Sequence, residues 1–251
     1  MNHTLRRDAE KIVYSAIEAV KPNGAVKRVL SNIDFPGQIF LVAVGKAAWQ
    51  MAAAAIQCLP RPIEKGVVVT KYGHMKGPLT SVVCHEGGHP IPDENGFAGT
   101  AAILELTKSL DESDTVLFLL SGGGSALFEQ PLVPNEELQD VTRQLLACGA
   151  DIIEMNTNRK RLSAVKGGRF AAWCAPAHIE AVILSDILGD PLDMIASGPV
   201  VPDTSTCAQA EAIAKKYSLM PHQKTIKKRT QSTFVITSVF RCYTFASPSN
   251  D

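Results

Sequence analysis

TVLFLLSGGGSALFE, Thr115 to Glu129, sets a short, mostly apolar run directly before three glycines. Such a run, lacking the alternation of a half-solvated strand, is the pattern of a parallel strand covered on both faces. The glycines after it let the main chain approach a ligand closely and turn its N–H groups inward. Ser121 and Ser125 add hydroxyls at either end of Gly122, Gly123 and Gly124. This loop suits an oxyanion such as phosphate or carboxylate, and a plain flexible connection is the alternative reading.

The same grammar extends in both directions. IFLVAV, Ile39 to Val44, is a second continuous apolar run, and AAWQMAAAAIQCL, Ala47 to Leu59, follows it as a helix. Short strands are expected at Gly66 to Thr70, Ser81 to Glu86 and Ala181 to Ser185. Helices are expected over Asn95 to Leu110, over about Asn135 to Glu154 after Pro134, and over about Thr206 to Tyr217. At the N-terminus, Leu5, Ala9, Ile12, Val13, Ala16, Ile17 and Val20 recur at spacings of three and four, an amphipathic helix that Pro22, Asn23 and Gly24 stop. Strands alternating with helices predict a layered α/β domain with a mostly parallel sheet. The last thirty residues break this character. HQKTIKKRTQ is basic, and STFVITSVFRCYTF is strand-like with no later helix to cover it. It reads either as an edge strand or as a tail foreign to the fold.

Composition narrows the function. With 25 basic and 25 acidic residues among 251, the formal net charge is zero, which removes the broad electrostatic footprint of a nucleic-acid binder. The six cysteines form no C-x-x-C pair, so they read as reduced thiols. No apolar stretch approaches the roughly 18 residues of a membrane span. The acids Asp8, Glu10 and Glu18 argue against a transit peptide. A cytoplasmic protein acting on a small, locally recognised molecule is expected, with self-association left open.

Four places could carry chemistry. Gly45 and Lys46 end the Ile39 to Val44 strand where a helix begins, a position suited to phosphate, although G-x-x-x-x-G-K-[ST] is absent. The glycine loop is the second. The third is NTNRKRLSAVKGGRFA, Asn156 to Ala171, which gathers Arg159, Lys160, Arg161, Lys166 and Arg169 around two glycines. It reads as an anion pocket or as a solvated helical face. The fourth is LSDILGDPLDMIASGPVVPDTST, Leu184 to Thr206, whose Asp186, Asp190 and Asp193 could hold Mg²⁺ through one or two oxygens or position a hydroxyl, or simply form turns. His85 and His89, in CHEGGHPIPDENG, lack a third ligand at a metal-binding spacing.

Taken in order, VGKAAWQMAAAA, HEGGHPIPDENG, SGGGSALFEQP, NTNRKRLSAVKGGR and LSDILGDPLDMIASGPVVPDTST resemble the class II glycerate 2-kinases, some of which have been labelled hydroxypyruvate reductases. The resemblance runs from about Asp8 to about Leu219. It implies a Rossmann-like N-terminal domain over residues 1–219, from an ATP-dependent enzyme that phosphorylates D-glycerate at its 2-hydroxyl with Mg²⁺. By matching motif, Lys46, Arg159 and Asp186 would be catalytic. Gly45, Ser121 to Ser125, Lys166, Arg169 and Asp190 would bind substrate or nucleotide. Lys46, Gly123 and Arg169 would then share one pocket. The family carries a second α/β domain and works between the two, whereas residues 220–251 do not resemble the family's continuation. The resemblance therefore implies an impaired kinase or a non-catalytic anion-binding module. A nicotinamide-dependent reductase is disfavoured because G-x-G-x-x-G is absent.

Overall fold

The structure, a computed structural model, describes residues 3–19, 21–185, 187, 189–219 and 240–246. In chain order its elements are α1 (His3–Ala19), α2 (Pro22–Leu30), β1 (Ile39–Val44), α3 (Ala48–Cys58), β2 (Lys65–Lys71), β3 (Val82–Gly87), α4 (Glu94–Thr107) and β4 (Thr115–Ser121). There follow α5 (Gly124–Leu127), α6 (Asn135–Ala147), α7 (Ile152–Leu162), α8 (Arg169–Cys174), β5 (His178–Ser185), a 3-10 turn (Ile195–Ser197), α9 (Cys207–Lys216) and β6 (Phe240–Ala246).

The described strands form one sheet in the order β3-β2-β1-β4-β5-β6, and every pairing is parallel. β1 and β4 are buried along their whole length, which is why both read as continuous apolar runs. Side chains alternate across this central pair. Val42, Val44, Phe118 and Leu120 enter one core layer with Phe128 and Phe170; Leu41, Ala43, Leu117 and Leu119 enter the other with α3. Phe118, Phe128 and Phe170 pack as a triad with ring centroids 5.0 to 5.8 Å apart, fixing the segment after the glycine loop onto β4.

The strand order reverses between β1 and β4, the Rossmann-like switch point. In open sheets of this order, ligands bind outside the carboxyl ends of the strands on either side of such a point. Lys46 follows β1, and Gly122 follows β4.

Three expectations are revised. The helix expected from Asn135 to Glu154 is two helices. The chain turns at Gly149 (φ +71°), and Asp151 restarts it with a capping box in which Asp151 Oδ1 accepts from Glu154 N at 2.8 Å and Glu154 Oε2 accepts from Asp151 N at 3.2 Å. The N-terminal helix forms, but Leu5, Ile12, Val13 and Ile17 lie 48 to 69 % exposed, so its apolar stripe is not covered by the described residues. Of the strand-like C-terminal stretch, Phe240–Ala246 is an edge strand beside β5, while its first part and the basic segment before it lie outside the described residues.

Candidate active site

The tips of β1 and β4 are bonded to each other. Lys46 N donates to Gly122 O at 2.9 Å, Ala47 N donates to Ser121 Oγ at 3.0 Å, and Ser121 Oγ donates back to Val44 O at 3.3 Å. Ala47 begins α3 without a side-chain cap of its own, so the Ser121 hydroxyl reaches in from the neighbouring strand. Gly45 must be glycine: its φ is +116°, and a Cβ there would lie 2.3 Å from Ser121 Oγ. Thr70 Oγ1, from β2, donates to Gly45 O at 3.0 Å, and His74 Nδ1 lies 2.8 Å from Lys46 O. The carbonyl can only accept, so Nδ1 carries the proton. Lys46 is exposed at the centre of this frame.

Beside it, Gly123 takes φ +88°, and a Cβ there would lie 3.2 Å from Lys46 Cγ and 3.1 Å from His89 Cδ2. Among the described residues, the backbone N–H groups of Gly122, Gly123, Gly124 and Ser125 donate to no backbone carbonyl. Amides arranged in this way next to an exposed lysine are of the kind that can bind an anion.

A hydrogen-bonded wall supports the far side of the loop. Ser125 Oγ and Ser197 Oγ are 3.2 Å apart, Ser197 Oγ donates to Asn156 Oδ1 at 2.8 Å, and Asn156 Nδ2 donates to Met194 O at 3.2 Å. Gly167 N and Gly168 N donate to Ser197 O and Gly198 O at 3.0 and 2.7 Å. Ala196 and Ser197 hold φ of +51° and +61°, left-handed conformations that cost about 1–2 kcal/mol each in non-glycine residues. Such strain persists where the surroundings over-determine it, and it clusters at functional sites. Here Ala196 backs onto Gly124, whose added Cβ would lie 2.7 Å from Ala196 Cβ.

The basic block is not the solvated face its composition allowed. Arg159, Lys160, Arg161, Lys166 and Arg169 are each at most 8 % exposed. Lys166 bonds Glu129 Oε2 at 2.9 Å and Phe128 O at 2.7 Å. Burial pulls its pKa down, and the carboxylate of Glu129 opposes this. Lys160 and Arg161 meet Asp203 at 3.4 and 3.2 Å, and Lys160 also meets Asp193 at 3.5 Å. Arg169 donates to the carbonyls of Lys160, Ser163 and Lys166 around the end of α7, as a cation at a helix C-terminus does. Sequence reasoning set Lys166 and Arg169 against a ligand; in the structure both face inward, behind the wall that carries Ser197. Arg159 is likewise buried, with burial lowering its pKa and Glu129 opposing the shift.

Of the acidic block, Asp190 sits in a turn at φ +48° and is half-buried, Asp193 is the Lys160 partner, and Asp186 lies outside the described residues. His85 packs against Gly99 of α4, whose added Cβ would lie 3.0 Å from His85 Cβ. No group of three His, Cys, Asp or Glu side chains fit to hold a metal occurs among the described residues. A cavity of about 200 Å³ beside the start of α3, lined by Lys21, Asn23, Trp49, Gln50 and Lys76, includes none of the predicted site residues. His74, Asn156, Ser197 and Glu129 were not singled out by sequence reasoning. Three of them sit inside or next to quoted motifs, but only their long-range partners give them a role.

Comparison with known proteins shows the family to which the chain belongs. Residues 8–231 match a family model described as Domain of unknown function (DUF4147). The chain is 52 % identical over 232 residues to the D-glycerate 2-kinase of Thermotoga maritima, covering 92 % of this chain and 55 % of that protein. It is 39 % identical to the glycerate 2-kinase of Pyrococcus horikoshii, covering 86 % and 51 %. A relative from Agrobacterium vitis, 38 % identical, bears the name putative hydroxypyruvate reductase. Among solved structures, the glycerate kinase of Thermotoga maritima superposes with a TM-score of 0.87 over 97 % of this chain and 59 % of its own. The chain spans about half the length of the curated relatives it matches.

Proposed function

Because the chain belongs to the family described as Domain of unknown function (DUF4147), whose matched relatives include D-glycerate 2-kinases, we propose that it supplies the strand-tip half of an ATP-dependent D-glycerate 2-kinase. The observation that carries this reading is the meeting of Lys46 with the glycine loop at the sheet's switch point, where anions bind in folds of this order.

The residues present fit a phosphorylated ligand. The stem of Lys46 runs beside Gly123, so its ammonium would bring a compact positive charge to a ligand there, and the amides of Gly122 to Ser125 would add donors that need no reorganisation when charge develops. The Ser125–Ser197–Asn156 chain holds those amides in place. ATP would supply the phosphoryl group, and a divalent cation, if bound, would offset phosphate charge, as Mg²⁺ commonly does with only one or two protein carboxylates. Asp190, in the loop after β5, would be the carboxylate to hold it, as part of this proposal. Asp186 and Arg159 keep the catalytic roles the resemblance implies as part of this proposal, and Lys166 and Arg169 contribute by fixing the wall from inside.

A second α/β part, of the size that the relatives carry beyond the matched region, would close the crevice. Aligning two reactants is worth about 7–11 kcal/mol of barrier, so residues 1–219 alone should turn over many orders of magnitude more slowly than a completed enzyme. No described helix is long and apolar enough to cross a membrane. A cytoplasmic setting is part of this proposal.

The test is an ATP and D-glycerate assay on this chain and on a version continued with the second half of a family member, with the phosphorylated carbon identified. 2-Phosphoglycerate formed by the continued version supports the reading. Hydroxypyruvate-dependent NADH oxidation in place of phosphoryl transfer refutes it.

A further inference from the structure

Resting on the reading of the strand tips as an oxyanion site, we infer that His89 is a ligand-contacting residue there, donating from Nε2 to a substrate oxyanion held above the glycine loop. The metal-ligand reading of this histidine finds no support among the described residues. What the structure shows instead is a device for bringing its ring to the crevice. Gly87 ends β3 and Gly88 follows it. Cβ atoms on the two would lie 2.9 Å from Gly96 Cα and 2.7 Å from Ile91 O, so the turn closes tightly onto the start of α4 only because both lack side chains. Asp93 locks the same turn. It caps α4 by accepting from Gly96 N at 3.0 Å and accepts from Tyr72 OH at 2.6 Å, while Asn95 Nδ2 donates to that hydroxyl at 2.7 Å.

The turn delivers the His89 ring edge-on to the loop after β4. An atom on Gly123 in the Cβ position would lie 3.1 Å from His89 Cδ2, 3.3 Å from His89 Nε2 and 3.2 Å from Lys46 Cγ. The Nε2 edge of the ring and the stem of Lys46 thus flank one bare glycine. Three strand ends meet at this point, with Lys46 from β1, His89 from β3 and Gly123 from β4. His89 is half-buried there. In the crevice an Nε2–H would add a directional donor to the charge of Lys46. The ligand chemistry is an oxyanion, from either a carboxylate or a phosphate.

The test uses this chain with two probes, D-glycerate for the carboxylate and inorganic phosphate for the phosphate. Histidine ring signals are followed by NMR, His89 being identified by its loss in His89→Ala. The probe that occupies the site should shift the His89 signal and identify the source. His89→Ala should weaken that binding about tenfold or more. His89→Gln, which returns an N–H donor near the place of Nε2, should recover most of it, a rescue that a purely packing role would not produce. Should His89→Ala fail to fold, His89→Gln supplies the assignment by the same loss, and the ring shift in the unaltered chain then decides. Binding that depends on Lys46 yet leaves the His89 signal unmoved overturns this inference and spares the oxyanion reading. A folded chain that binds neither probe overturns both.

Discussion

Lys166, with no exposed surface, bonds Glu129 Oε2 at 2.9 Å beneath the glycine loop, and its ammonium also donates to Phe128 O. The pair fastens the segment that follows the loop to the segment that carries Gly167 and Gly168, which in turn bond the Ser197 wall. A buried ion pair is weak as a source of net stability but costly to break, because a lone charge is left behind.

Removing one member should therefore hurt more than removing both. Lys166→Met is expected to lose about 3–5 kcal/mol in urea unfolding, whereas Lys166→Met with Glu129→Leu should recover most of that. A double variant no more stable than the single would show that the surrounding packing, rather than the uncompensated carboxylate, sets the cost.

Gly123 makes a sharper test of the loop. Alanine there would hold φ +88° and press its methyl between His89 and Lys46. Gly123→Ala should cost about 1–2 kcal/mol through the left-handed conformation. It should also weaken oxyanion binding by more than this loss of stability can explain. Unchanged binding in a folded variant would place the ligand elsewhere.

The clamp between α7 and α9 titrates in acid. Bonds from Lys216 and Tyr217 hold the Glu154 carboxyl down to about 2, from an ordinary value of 4.5. A carboxyl depressed by folding adds stability above its unfolded value and loses it as pH falls through its folded one. The contribution of Glu154 is thus complete above pH 4.5 and fades toward pH 2. Glu154→Gln keeps a side chain able to complete the capping box but has no charge to lose. Its melting temperature should fall less steeply than that of the unaltered chain across this interval; parallel slopes would assign the acid sensitivity to other carboxylates.

The sheet was legible in the sequence because its central strands are buried on both faces. Ile39–Val44 is observed with the expected bounds, and the Thr115 run is longer by Ser121 alone. The break between α6 and α7 was legible in principle, since Asp151 and Glu154 carry the spacing of a capping box just after Gly149. The interior position of the basic block was not. Its cations are matched by Glu129, Asp193 and Asp203, which stand about thirty or more residues away in the chain, so a local reading sees only like charges. Ser197 was hidden for the same reason, its partners Ser125 and Asn156 lying 72 and 41 residues away in the chain.

The most direct measurement compares Lys46→Ala with the unaltered sequence, both continued by a family-type second half, for ATP-dependent conversion of D-glycerate to 2-phosphoglycerate. Losing a charged donor from the site should reduce turnover by about 10²–10³-fold while the melting temperature stays nearly unchanged, as befits an exposed side chain. Equal turnover by the two proteins would remove Lys46, and with it the strand-tip site, from the chemistry.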